Sequence, residues 1–242
     1  MSGHSKWANI KHKKEKTDAA KGKIFTKIGK EITIAVKEGG GDPASNSKLR
    51  DLIQKAKANN VPNDNIERCI KKALGSTSET YEEVSYEGYG PAGIAVLVTA
   101  TTDNRNRTAG NVRAYFSKYH GNMGQTGCVG YLFSDVGEIV INNEDGDVDE
   151  DKLMETALEA GASDFKADGE VFVVTTEPDD VYVIQEDLKN AGYEILSAEK
   201  TKVASTSVTL ESEEDIKFMN LLLENLEENE DIVNVWHNWD EE

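Results

Sequence analysis

Between residues 138 and 198 the apolar pattern alternates between a period of two and a helical period, in an order that few folds allow. Glu138–Ile141 reads as a strand. Asp149–Ala160 reads as a helix capped by Asp149, with Leu153, Ala157 and Leu158 apolar. Ser163–Lys166 and Val171–Thr175 read as two strands around the turn Ala167-Asp168-Gly169. Pro178–Ala191 reads as a second helix, opened by Pro178 and closed by Gly192, and Glu194–Ala198 as a last strand. The order βαββαβ is that of the ferredoxin-like unit, a four-stranded antiparallel sheet with both helices on one face.

The flanking segments follow other periods. From Thr17 or Asp18 to about Val36, Ile24, Phe25, Ile28, Ile32, Ala35 and Val36 recur at three and four, which predicts an amphipathic helix stopped by Gly39-Gly40-Gly41. Asp42-Pro43 should open a second helix, with Leu49, Leu52, Ile53 and Ala56 inward up to Asn59. Pro62 and the Asp64-x-x-Glu67 box should open a third, with Ile66, Cys69, Ile70, Ala73 and Leu74 on one face and Gly75 at its end.

After the break Ser76-Thr77-Ser78, Val84–Tyr89 and Ile94–Thr101 read as strands. Asn104–Tyr119 reads as a helix with Val112, Tyr115, Phe116 and Tyr119 inward. Gly121–Gly127 reads as a glycine-rich loop and Val129–Phe133 as a strand. At the far end, strand Ser207–Leu210, helix Glu213–Glu227 and strand Val233–Trp236 are too few to stand alone and should complete the sheet begun at residues 84–133. The fold class expected is therefore α+β and multidomain: a three-helix module plus two α/β domains, the ferredoxin-like one inserted in the other. The expected boundaries are 1–78 for the basic arm and bundle, 79–134 plus 205–242 for the split domain, and 135–204 for the insert.

Charge divides the same chain. Residues 1–75 carry 15 lysines and two arginines against eight acidic residues, a net of +9. The remaining 167 residues carry 10 basic and 37 acidic side chains, a net of −27. Nine of the lysines precede residue 31, opposed there by Glu15 and Asp18 alone. A block of this kind is the electrostatic footprint of a phosphate-backbone binder, and the acidic body would turn the basic head towards a polyanion. Residues 1–16 lack periodicity and read as a flexible arm. Lys6, Lys11, Lys13, Lys14 and Lys16 are interleaved with Trp7 and His12, and Lys21, Lys23 and Lys27 continue the charge. Trp7 offers a ring for an unpaired base, worth about 1–3 kcal/mol. The bland alternative is a solubilising tail, and His4 and His12 read as polar members of the arm rather than metal ligands. A second basic island holds Arg105, Arg107 and Arg113 at the start of a predicted helix, where guanidinium forks and first-turn amides suit phosphate. The alternative for these arginines is pairing with the body's own carboxylates.

Other chemistries find little support. Gly88-Tyr89-Gly90-Pro91-Ala92-Gly93 matches G-x-G-x-x-G in form, but a strand follows where a dinucleotide site needs a helix. The acidic stretch 142–151 has Lys152 where a calcium loop needs its twelfth-position Glu. No nucleophile motif or phosphate loop occurs, so neither catalysis nor a cofactor is expected. No apolar run approaches the roughly 18 residues of a membrane span, and the start of the chain has no apolar leader, which points to a cytoplasmic protein with no membrane partner. Cys69 and Cys128 are expected as reduced, buried packing residues, the second at the start of a strand.

These segments carry a resemblance. Gly3-His4-Ser5-Lys6-Trp7-Ala8-Asn9-Ile10-Lys11-His12, Lys21-Gly22-Lys23-Ile24-Phe25-Thr26-Lys27 and Gly39-Gly40-Gly41-Asp42-Pro43 resemble the YebC/PmpR family. So do Ala56-Lys57-Ala58-Asn59-Asn60-Val61-Pro62, Tyr86-Glu87-Gly88-Tyr89-Gly90-Pro91-Ala92-Gly93 and Thr102-Asp103-Asn104-Arg105-Asn106-Arg107-Thr108. The arm uses lysine where relatives often mix in arginine, which gives point charges in place of bidentate forks. The resemblance implies three domains, one inserted in another, and cytoplasmic DNA-associated regulation of transcription; a branch of the family helps translation instead. The partner expected is therefore DNA, or ribosomal or messenger RNA and the ribosome. A further alternative is an acidic adaptor whose body binds a basic protein.

Overall fold

The structure, a computed structural model, describes residues 18–75 and 80–240, with the backbone alone for residues 18–21. They form two compact units, one of residues 18–132 with 206–240 and one of residues 133–205.

The larger unit begins with three helices, α1 (Asp18–Gly39), α2 (Ser47–Ala58) and α3 (Asn63–Leu74). Their apolar stripes meet: Ile28, Ile32 and Val36 of α1 pack with Leu49, Leu52 and Ala56 of α2 and with Ile66 and Ala73 of α3. Each of the isoleucine, leucine and valine side chains contributes about 1.5–3 kcal/mol by leaving water. The α1–α2 turn depends on buried Asn46. Its Oδ1 accepts from the Leu49 amide at 3.0 Å, while its Nδ2 donates to the carbonyls of Ala35 and Gly40, each at 2.8 Å. One side chain thus closes α1 and opens α2, so α2 starts at Ser47 and not at Asp42-Pro43. The expected box at α3 does not form. Pro62 occupies the cap position without a side-chain bond, and Asp64 falls inside the first turn.

Strands β1 (Glu82–Tyr89) and β2 (Ala95–Thr102) pair along their whole length, Glu82 with Thr102 through Tyr89 with Ala95. A 3₁₀ turn at Pro91–Gly93 joins them, with Ala92 at φ 51° and Gly93 at φ 83°. The glycine run therefore feeds a strand, with no helix terminus for a pyrophosphate. Helix α4 (Arg105–Lys118) follows, then a two-residue strand β3 (Asn122–Met123) on the free edge of β1. Val129–Phe133 is not a strand. Gly130–Leu132 is a 3₁₀ turn, and the next strand starts at Phe133.

The smaller unit runs β4 (Phe133–Asn142), α5 (Glu150–Glu159), β5 (Asp164–Asp168), β6 (Val171–Thr176), α6 (Val181–Asn190) and β7 (Ile195–Ala204). Its antiparallel sheet has the order β5-β6-β4-β7, which is the ferredoxin-like topology. Ile139, Ile141, Phe172 and Val174 of the sheet are buried beneath Leu153 and Ala157 of α5 and Val181, Ile184 and Leu188 of α6. β4 and β7 are ten residues each, longer than the apolar alternation implies, because their outer halves pair through polar residues. Asp135 faces Lys202 there with a 2.6 Å ion pair. Helix α6 starts at Val181, three residues beyond Pro178.

The chain then returns to the larger unit through β8 (Val208–Thr209), α7 (Glu213–Glu228), β9 (Ile232–His237) and β10 (Trp239–Asp240). β9 adds to β2 and completes the antiparallel order β3-β1-β2-β9. β8 does not join that sheet, as the sequence had suggested it would; it forms a two-stranded parallel ladder with β10. Val84, Val96, Val98, Val112, Phe116, Met219, Leu222 and Leu226 form the core under α4 and α7. Both cysteines are free and only half-buried, and Cys128 lies in a bend ahead of the 3₁₀ turn. No helix among the described residues is long and apolar enough to cross a membrane. The α+β fold with an inserted ferredoxin-like domain is the one the patterns predict.

Candidate nucleic-acid interface

Helix α4 opens the second basic island. Asn104, extended at φ −147°, caps it by accepting from the Arg107 amide at 3.1 Å. The guanidinium of Arg107 then reaches two carboxylates with one nitrogen, Asp103 at 2.7 Å and Asp231 at 2.7 Å. Asp231 is 5% exposed and also takes Lys30 Nζ at 2.9 Å and the Thr108 hydroxyl at 2.9 Å. Burial alone would push the Asp231 carboxyl up. Hydrogen bonds from Arg107, Lys30 and Thr108, with the charge of Lys30, outweigh it and hold the group down at about 2. Around it lies a polar cleft of about 370 Å³ lined by Lys30, Tyr81, Arg107, Asn111, Asn229 and Asp231.

Two lysines of the basic head are used in the same place. Lys27 Nζ donates to the Glu227 carbonyl at 2.6 Å, and Lys30 Nζ to the Glu230 carbonyl at 3.1 Å. Glu227 lies in the last turn of α7, where carbonyls lack helical partners and the helix dipole is negative, and Glu230 lies two residues past its end. Lys48 adds a bridge to Glu83 at 2.8 Å. The lysines of α1 and α2 therefore clamp the helical module to the acidic sheet.

The predicted contact residues consequently separate. Lys6, Trp7, Lys11, His12, Lys13, Lys14 and Lys16 lie outside the described residues. Lys21 is on α1, and Lys23 is on its exposed surface. Lys27 is engaged with α7. Arg105 is 69% exposed and stands 4.0 Å from the exposed Glu82, while Arg113 faces solvent on α4. Arg107 is bound into the Asp231 cluster. Arg105, Arg107 and Arg113 thus share one helix but not one role.

Sequence reasoning gave no weight to Glu87. It lies in the middle of β1, 7% exposed, and its carboxylate accepts three amides of the glycine loop: Gly127 at 2.7 Å, Val129 at 2.8 Å and Gly130 at 2.6 Å. Burial raises its pKa, and these three bonds more than reverse the effect, leaving it below the ordinary value. The alternation of β1 places Glu87 with Ser85 and Tyr89, on the face opposite the core residues Val84 and Tyr86, so the sequence carried no signal of its burial beneath the loop.

A bundle, a split sheet and an inserted ferredoxin-like unit, with arginines at a capped helix start, define a class of multidomain proteins. This chain belongs to the TACO1/YebC family: the family's N-terminal domain matches residues 5–76, and its second and third domains match residues 81–239. A probable transcriptional regulatory protein of Acetivibrio thermocellus is 58% identical, covering 99% of each chain. One of the same description from Lachnoclostridium phytofermentans is 55% identical over the full length of both. The crystal structure of a conserved hypothetical protein from Aquifex aeolicus matches with a TM-score of 0.84 and 44% identity, over 98% of this chain and 97% of that one.

Proposed function

We propose that this chain is a cytoplasmic, non-enzymatic, nucleic-acid-binding regulator of gene expression that binds DNA through phosphate contacts. The observation that carries the reading is the charge division, a head of +9 on a body of −27. Lysines from Lys6 to Lys23 supply the primary contact, with Trp7 and His12 among them, and Arg105 and Arg113 the second. Lys27 and Lys30 anchor the helix that bears the arm, so the charge is delivered from a fixed point. The relatives' description as probable transcriptional regulatory proteins supports a regulatory role.

A second reading is a translation factor acting on ribosomal or messenger RNA with the same surface. It is favoured by the lysine-only arm, which offers point charges and no forks for base edges. Removing residues 1–20 tests both readings. The truncated protein should stay folded, since the buried cluster of the bundle starts beyond them, and should lose most of its affinity. Equal affinity with and without the arm refutes the reading. Crosslinking the intact protein in its own cells and sequencing the attached nucleic acid then separates promoter DNA from RNA.

A further inference from the structure

The glycine loop is built, not loose. A Cβ on Gly88 would stand 2.6 Å from the Asn122 carbonyl oxygen, and one on Gly121 2.6 Å from that of Tyr89. The loop therefore closes on β1 only because both positions are glycine. Gly124 donates to the Glu87 carbonyl at 2.8 Å, the Glu87 carboxylate takes three further amides, and the Tyr89 hydroxyl donates to the Cys128 carbonyl at 3.0 Å. A buried carboxylate accepting three amides is a costly device for a plain turn. What it holds out is Tyr131, 76% exposed in its 3₁₀ turn, with Tyr89 also exposed at 38%. Tyr131 is the most exposed large apolar side chain among the described residues.

The stretch of sequence that carries this loop differs in composition from the rest of the body. From Asn104 to Ser134 the chain contains no aspartate or glutamate, yet it carries Arg105, Arg107, Arg113 and Lys118. Arg113 and Lys118 lie exposed on α4, which runs directly into the loop. A rigid exposed ring in a basic, acid-free segment matches the chemistry of single-stranded recognition, in which phosphates meet cations and a base face meets an aromatic face.

We infer that Tyr131, presented by the Glu87-pinned glycine loop and flanked by Tyr89, is a stacking platform for an unpaired base of single-stranded RNA, whose phosphates meet exposed cations of the same acid-free segment. RNA is the source because unpaired bases are displayed mainly in its loops, bulges and ends. Glu87 is a positioning residue that acts through the loop amides. This rests on the second, RNA reading above and adds to it a site separate from the arm.

The test measures binding of the intact chain to a labelled single-stranded RNA of about 12 nucleotides, to the same sequence as a perfect RNA duplex, and to single-stranded DNA. Y131A should weaken single-strand binding by between about fivefold and about a hundredfold, leave duplex binding unchanged, and keep the same salt dependence. Y131W should restore binding, because it keeps the aromatic face. E87Q should lose part of the single-strand affinity, and the amides of Gly127, Val129 and Gly130 should exchange faster with solvent while Y131A leaves them protected. Loss shared by DNA single strands identifies the base face as the ligand, and loss on RNA alone adds the 2′-hydroxyl. If Y131A binds the single strand like the unaltered chain while removal of residues 1–20 abolishes binding, the platform is overturned and the arm stands. An equal loss on single strand and duplex also overturns it. If the intact chain binds none of the three, the nucleic-acid reading falls and the platform with it.

Discussion

Asp231 joins three separate parts of the chain. Lys30 comes from α1, Arg107 and Thr108 from α4, and the carboxylate stands at the start of β9. D231N keeps the shape and removes the charge, which leaves two cations facing each other across a partly buried cleft. Removing one partner of such a cluster costs about 3 kcal/mol, and for a chain of this size each kcal/mol lowers Tm by about 2–4 °C. A fall of roughly that size in a thermal melt is the expected outcome. The acid limb should change too. The folded carboxyl titrates at about 2 against an ordinary value of 3.8, so unfolding takes up a proton in that window. Its contribution is complete above about pH 4 and disappears as pH falls through about 2. Urea unfolding of D231N should therefore vary less between those limits than that of the parent chain. None of this was legible in the sequence, where Asp231 closes an acidic run at a helix end. Its partners lie 124 and 201 positions away, and such a separation leaves no local pattern.

Among the elements, α4 carries the clearest division of labour. Arg105 points away from the body at 69% exposure, while Arg107 is held by Asp103 and Asp231. R105E should weaken binding of nucleic acid and leave Tm nearly unchanged, because an exposed pair is worth at most about 1 kcal/mol. R107E would set a third carboxylate against Asp231 and should lower Tm by several degrees whatever it does to binding. Measuring affinity and melting on both single variants separates the roles; a stable R107E protein would show that the Asp231 cluster tolerates losing its guanidinium. At this scale much of the structure was legible. The stripes Ile28-Ile32-Val36 and Val112-Phe116 are read from a helical period because each helix buries a single face. Val129–Phe133 was misread for a physical reason: its apolar alternation mimics a strand, but the Val129 and Gly130 amides are taken by Glu87 and cannot enter a ladder. The polar outer halves of β4 and β7 were missed because cross-strand pairs such as Asp135–Lys202 carry no apolar signal. At the site, the arginine island was visible as composition, whereas the pinning of the loop by Glu87 needed the tertiary structure.

For the whole molecule, binding should report its electrostatic origin through salt. If the arm neutralises about five phosphates, log K against log salt should fall with a slope near −4 on duplex DNA and somewhat less on a single strand. A slope near zero would leave an acidic adaptor for basic proteins as the better description. The topology has a kinetic consequence as well. The ferredoxin-like unit begins at Phe133 and ends at Ala204, and these two residues are direct partners across β4 and β7. β2 must find β9, which the ribosome makes only after the whole insert has emerged. Once the insert has folded, its paired ends shorten the effective loop between β2 and β9 from about 130 residues to about 60, which lowers the closure entropy by about 0.7 kcal/mol. Refolding followed by pulsed hydrogen exchange should accordingly find the β4–β7 amides protected before those joining β2 to β9. The insert then acts as a splint set during synthesis: the outer sheet is sealed only afterwards, by a strand that leaves the exit tunnel later than the whole insert.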